Sequence, residues 1–295
     1  MGAREMRASH AREIKSNGLH DFNLLFVIPA FQATQFCMSR FDSLEFEDKF
    51  EEPSEQRSGI KDENFYLAEA RSAFESAQFD QALRVFAKVL EFNPKNVAAW
   101  TGQVRMLIEL GEFQEAKLWA DKALEKFPTE PELLAAKAVA LGRIGDLKAA
   151  LAFSDASIEE RGDTPYVWLA RGDVLLARAE KRAEYCFQKA IAFAPSDWLV
   201  RWLASRIHSF YEKFAIALKF AQEALNLNPG NAAVWLQTGN CQFAMGLIVL
   251  AENSFTQARQ INPHCSEATA ALNKISHAGF FSKLCSRLRQ LFHNP

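Results

Sequence analysis

The sequence predicts an all-α chain, an α-solenoid of about six helix–turn–helix repeats with a C-terminal capping helix. Three observations predict it. Pro94, Pro128, Pro195, Pro229 and Pro263 are spaced 34, 67, 34 and 34 residues apart, and the 67 is one unit of 34 plus one of 33 with Gly162 where a proline would fall. Tyr66, Trp100, Trp168 and Trp235 keep the same beat, lying 28, 28, 27 and 28 residues before Pro94, Pro128, Pro195 and Pro263. The composition suits helices: 49% of the residues are apolar, with only 13 glycines and 10 prolines in 295 residues.

Each unit follows from local chemistry. Two helical stretches of about 12 to 15 residues carry apolar positions at i, i+3, i+4 and i+7. In the second unit, Trp119, Ala120, Ala123 and Leu124 share such a face. A small residue followed four places later by an aromatic or small one recurs as Ala82 and Phe86, Ala116 and Ala120, Ala183 and Phe187, Ala217 and Ala221, and Ala251 and Phe255. Three places on come Val89, Ala123, Ala190, Ala224 and Ala258. Small residues let the paired helices approach closely, and the aromatic fills the gap between units. Gly111, Gly145 and Gly246 mark the turn inside the unit.

Proline ends each unit because it cannot continue the second helix. Capping side chains restart the chain at Asn96, Thr129, Thr164 (before Pro165), Ser196 or Asp197, Asn231 and Ser266. Three units depart from the pattern. The third has Ser154 and Ser157 at the aromatic and small positions, and the fourth is one residue short around Ala177–Lys181. The fifth carries Trp198 and Trp202, with Glu212 in place of the turn glycine. Altered curvature is expected there. A last helix, about 266–276, reads as the cap such an array needs at its end.

This pattern resembles the tetratricopeptide repeat, whose signature is W…G…A-x-x-x-F…A…P over 34 residues, across roughly residues 63 to 264. The resemblance implies a right-handed solenoid acting as a non-catalytic scaffold or adaptor, with a peptide or helix held in its concave groove. In that family, binding residues come mostly from the second, fifth, ninth and twelfth or thirteenth positions of the first helix. Carried over, the ninth positions are Arg71, Arg105, Val139, Asp173, Arg206 and Asn240. The twelfth are Phe74, Ile108, Gly142, Leu176, Ser209 and Phe243, and fifth positions include Leu67, Thr101, Leu169, Trp202 and Leu236.

The candidate groove is therefore Arg71, Phe74, Arg105, Ile108, Asp173, Trp202, Arg206, Asn240 and Phe243. Its arginine forks would grip carboxylates and its aromatics would act as anchors. It lacks the lysine-and-asparagine arrangement with which some members clamp the C-terminal carboxylate of a heat-shock chaperone.

The expected organisation is an N-terminal segment 1–60, a solenoid 61–264, a capping helix 265–278 and a basic amphipathic tail helix 279–295. Residues 1–37 read as disordered or as preceding the true start at Met38; a signal sequence built on the apolar Leu24–Phe31 is the competing reading. Residues 42–55 hold seven acids against Lys49, interleaved with Phe41, Leu44, Phe46 and Phe50. They read either as a solvated lead-in or as a segment that docks in the groove in cis. In the tail, Phe281, Leu284, Leu288 and Leu291 or Phe292 share one helical face, with Lys283, Arg287 and Arg289 elsewhere. It packs onto the last repeat, or it meets a membrane surface or a partner through residues 280–292.

Composition narrows the function. A net charge of −2 argues against a general nucleic-acid binder. Cys37, Cys186, Cys241, Cys265 and Cys285 form no C-x-x-C pair, and the six histidines form no H-x-x-H or H-x-x-x-H pair. No phosphate loop, G-x-S-x-G or G-x-G-x-x-G occurs. Neither a catalytic site, a metal, a cofactor nor a small-molecule substrate is expected. No apolar run approaches the roughly 18 residues of a membrane span. The expected protein is a cytoplasmic adaptor with a protein or peptide partner; the alternative is an exported or membrane-associated chaperone or assembly factor anchored by its tail.

Overall fold

The computed structural model describes residues 62–277. Twelve helices form six antiparallel pairs: α1 Glu63–Glu75 with α2 Phe79–Phe92, α3 Val97–Glu109 with α4 Phe113–Lys126, and α5 Pro131–Ile144 with α6 Leu147–Glu159. They continue as α7 Pro165–Ala177 with α8 Ala183–Phe193, α9 Trp198–Phe210 with α10 Phe214–Leu227, and α11 Ala232–Ala244 with α12 Ile248–Ile261. Residues 266–277 form a further helix, α13. There is no strand among the described residues. The N-terminal segment 1–60, with its acidic stretch 42–55, and the tail 279–295 lie outside the described residues.

Helix starts follow the capping chemistry of their sequences. The side chains of Asn96, Asp146, Thr164, Asp197 and Asn231 each accept a hydrogen bond from a backbone N–H two or three residues on. Thr129 does not cap. α5 opens on Pro131, whose missing N–H needs no acceptor, and Glu130 takes the cap position without a side-chain bond. Inside each pair the chain reverses through one residue of positive φ. Gly111, Gly145 and Gly246 serve in three pairs, while Ala77, Ala179 and Glu212 are forced into the same conformation in the others.

The aromatic of the small/aromatic pattern packs on bare backbone. A Cβ on Gly102 would lie 2.5 Å from the Phe86 ring, one on Gly172 2.8 Å from Phe187, and one on Gly239 2.6 Å from Phe255. Phe86 thereby locks onto the next unit. Phe187 spans from its own unit to His208 and Phe220 of the next, with ring centroids 4.4 and 6.1 Å away. Phe255 joins Leu236, Ala251 and Ala258 in a cluster that Ala268 and Ile275 of α13 complete. The cap thus buries the last interior face of the array.

Neighbouring units pack through their first helices, α3 against α5, α5 against α7, and α7 against α9. These line the inside of the coil, and the coil is tight. Asn231 Nδ2, at the start of α11, donates to the backbone carbonyl of Glu75 at the end of α1, 3.0 Å away and 156 residues earlier. The sixth unit therefore returns to the first.

Candidate partner-binding face

The nine residues expected to line an open groove fall into two groups. Phe74, Ile108, Asp173 and Trp202 are buried. Trp202 is 0% exposed. Its Nε1 donates to the Ala233 carbonyl at 3.2 Å, and its ring meets Phe74 edge-on at 6.0 Å and stacks on Phe79 at 6.2 Å. Arg105 and Arg206 are half-buried. Arg105 lies over the Tyr166 ring at 3.9 Å and the Phe74 ring at 5.2 Å. Arg206 donates to Glu109 at 2.7 Å, with its guanidinium 4.6 Å from the Phe79 ring. The remaining three reach solvent: Arg71 pairs with Glu75 at 2.9 Å, Asn240 is exposed, and Phe243 is half-buried beneath Lys274.

The closed part of this face is held by residues the sequence reading passed over. Arg143 donates to Asp173 at 2.7 Å, and the Tyr211 hydroxyl donates to the other Asp173 oxygen at 2.6 Å. The Arg143 guanidinium also lies 4.2 Å from the Phe210 ring, and Phe210 meets Phe113 edge-on at 5.8 Å. Burial opposes the charge on Arg143, but the Asp173 carboxylate outweighs it and leaves the guanidinium pKa raised. Burial and the neighbouring Asp173 both push the Tyr211 pKa up, which keeps its hydroxyl a donor.

Glu109, Arg143 and Phe210 all occupy the thirteenth position of their helices, as does Glu75. That shared position was the available signal. It holds acids in the first two units, a base in the third and a ring in the fifth, with Ala177 and Ala244 in the fourth and sixth, and Glu109 and Arg143 pair from it with ninth-position residues across the coil.

Two spaces remain. An enclosed one lies among Phe74, Arg105, Glu109, Arg143, Tyr166 and Asp173, with a volume of about 20 Å³, room for roughly one water. Arg143 Nε is buried there without a hydrogen-bond partner in the protein. The other is an open cleft of about 320 Å³ where the sixth unit returns to the first. Gln78, Phe79, Gln81 and Arg84 of the α1–α2 turn and α2 form one wall, and Leu236, His264 and Glu267 the other.

Burial pushes the Cys186 and Cys241 thiols up, away from the reactive thiolate. Burial also lowers the His208 pKa, while its Nδ1–H donates to the Ala204 carbonyl at 2.8 Å. Among the described residues, no three potential metal ligands come together.

Comparison with known proteins bears on the repeat itself. Residues 73–140 match the tetratricopeptide repeat family. No curated protein matches the chain significantly. Among solved structures, a tetratricopeptide repeat protein from Parabacteroides merdae aligns at 16% identity and a TM-score of 0.48, over 74% of this chain and 86% of that one. The Cut9–Hcn1 assembly of the APC/C aligns at 16% identity and a TM-score of 0.45, over 73% of this chain but only 43% of the other. YrrB, described as a TPR protein with an unusual peptide-binding site, aligns at 19% identity and a TM-score of 0.37, over 63% of this chain and 96% of that one. Residues 73–140 thus match the tetratricopeptide repeat, and six helical pairs at intervals of 34 or 33 residues, each turning through one residue of positive φ, repeat the same helix–turn–helix unit along the described chain.

Proposed function

We propose that the chain is a non-catalytic protein-interaction scaffold that holds an extended segment or helix of a partner polypeptide. We further propose that the segment enters at the cleft between the first and sixth units. The observation that carries this reading is the change along the inner face from side chains sealed against one another to an open, half-polar recess. Its volume is at the lower end for ligand sites, enough for two or three peptide residues. Gln78 and Gln81 offer amide donors and acceptors, Arg84 a cation for a carboxylate, and Phe79 and Leu236 apolar contact. Of the groove residues read from sequence, Arg71, Asn240 and Phe243 remain accessible to extend the contact.

Peptides selected by phage display on the full chain, titrated by calorimetry, test the site. Gln78→Trp fills the cleft from an exposed position, and Arg84→Glu reverses its cation. Each should weaken a selected peptide about tenfold or more, equivalent to roughly 1.4 kcal/mol, while Glu125→Lys on an outer helix leaves it unchanged. Peptides that bind both cleft variants as tightly as the parent would refute this placement.

A further inference from the structure

The boundaries between units are not equally packed. α8 is the shortest of the twelve paired helices, 11 residues against 13 or 14 in the others. The cause is local. The fourth unit is one residue short around Ala177–Lys181, and α8 starts only at Ala183, after Arg182, which makes no side-chain cap. A short α8 offers little surface to α9, and the fourth unit meets the fifth more sparsely than any other unit meets its successor. The Phe187 ring bridges this boundary to His208 and Phe220, and the Tyr211 hydroxyl donates across it to Asp173.

Beyond that boundary, the fifth and sixth units reach back to the first two by side-chain tips. Trp202 meets Phe74, Arg206 meets Glu109, and Asn231 meets the Glu75 carbonyl. The helices that face each other there, α1 and α3 against α9 and α1 against α11, are not closely packed backbone to backbone. The ion pair among these contacts is open to water, with the Arg206 side chain 25% exposed, so solvent competes for it. The coil is thus closed by separable side-chain contacts on one side and thinly jointed on the other.

We propose that the coil works as a jaw. Units five and six swing away from units one to four about the α8–α9 boundary, and the sealed axis is the latched form. Opening turns Phe74, Trp202 and Arg206 from partners of one another, or of Glu109, into the lining of a groove. A partner segment that returns what each has lost, an apolar side chain for the rings and a carboxylate for Arg206, holds the jaw open, because a ligand shifts such an equilibrium by binding one state better. The cleft between the first and sixth units lies at the lip of this jaw. The use of the opening rests on the entry proposed above; the hinge itself does not.

Pulsed dipolar spectroscopy on the full chain is the test, with spin labels carried on noncanonical side chains so that the native cysteines stay in place. Labels at Gln78 and Glu267, both exposed and on opposite walls of the cleft, read the gap. Pairs at the exposed Glu125 and Glu184, and at the exposed Lys219 and Glu252, each lie within one jaw. The free chain should show one main cleft distance and at most about 10% of a longer one. Arg206→Glu, which sets two carboxylates face to face, should raise the longer population about fivefold or more. Adding Glu109→Arg should bring it back down. A peptide selected as above should also raise it, and both pairs within a jaw should keep one distance throughout. A cleft distance that Arg206→Glu leaves unchanged overturns the jaw. So does a change that appears equally in the pairs within each jaw, which marks a general loosening of the fold. A peptide that binds at the cleft without lengthening the gap overturns the coupling to a partner and leaves the entry site standing, whereas hinge motion without any cleft-dependent peptide leaves the jaw standing and removes the entry site.

Discussion

The inner faces of the first five units and of the sixth are built from the same positions of the same repeat, yet they end in different environments. At the ninth position Asp173 is buried under Arg143 and Tyr211, whereas Asn240 is exposed. At the twelfth, Phe74 is covered by Trp202, while Phe243 is half-buried. The helix register decides which side chains point toward the coil axis. Whether the axis is open depends on what the coil brings across it. From the second unit to the fifth it brings long side chains of opposite character, and they meet, whereas Arg71 of the first unit still reaches solvent.

Four measurements would break or sharpen that contrast. The largest effect belongs to Asp173→Ala, which strands a buried guanidinium and should cost about 3–5 kcal/mol in urea unfolding. A loss under about 1 kcal/mol would mean that water reaches Arg143 and the axis is open there. Tyr211→Phe removes one donor to the same carboxylate and should cost about 1.5–3 kcal/mol by the same assay.

The third measurement uses pH. His208 lies among Phe187 and Phe220, with Glu184, Lys213 and Asp173 acting on it from a distance, and burial lowers its pKa. The unfolded chain therefore binds the proton better. Stability from this group is complete above the ordinary histidine value of 6.5 and declines as pH falls through and below it. Thermal melts between pH 7.5 and 5 should show a falling Tm, with a shallower fall in His208→Gln. Equal slopes would place the imidazole in water.

The smallest effects compare the two regions directly. Arg206→Ala, which loses a half-buried pair with Glu109, should cost about 1 kcal/mol, and Asn240→Ala should stay within about 0.5 kcal/mol. Equal costs would erase the distinction between sealed and open faces.

The helix pairs were legible because their signals are local. The prolines, the turn glycines and the small/aromatic pattern each act within one unit or between two adjacent ones. Thr129 misled because a proline two residues later removed the need for a cap. The seal at the axis was not legible from those signals. It joins Glu109 to Arg206 across 97 residues, and its geometry accumulates from small rotations at every unit between. Its ingredients were nonetheless visible at the thirteenth position of the first helices, which holds Glu109, Arg143 and Phe210. The family register named the twelfth or thirteenth position, and the residues chosen from it were those of the fifth, ninth and twelfth, which face solvent only where the axis is open.

The hydrogen bond from Asn231 to the Glu75 carbonyl has a consequence for how such a molecule can change over evolutionary time. An open row of modules gains or loses members cheaply, since each leans only on its neighbours. Here the end of α1 is stitched to the start of α11, so duplicating or deleting a module between them would pull that link apart, and unravelling from the first module must undo it.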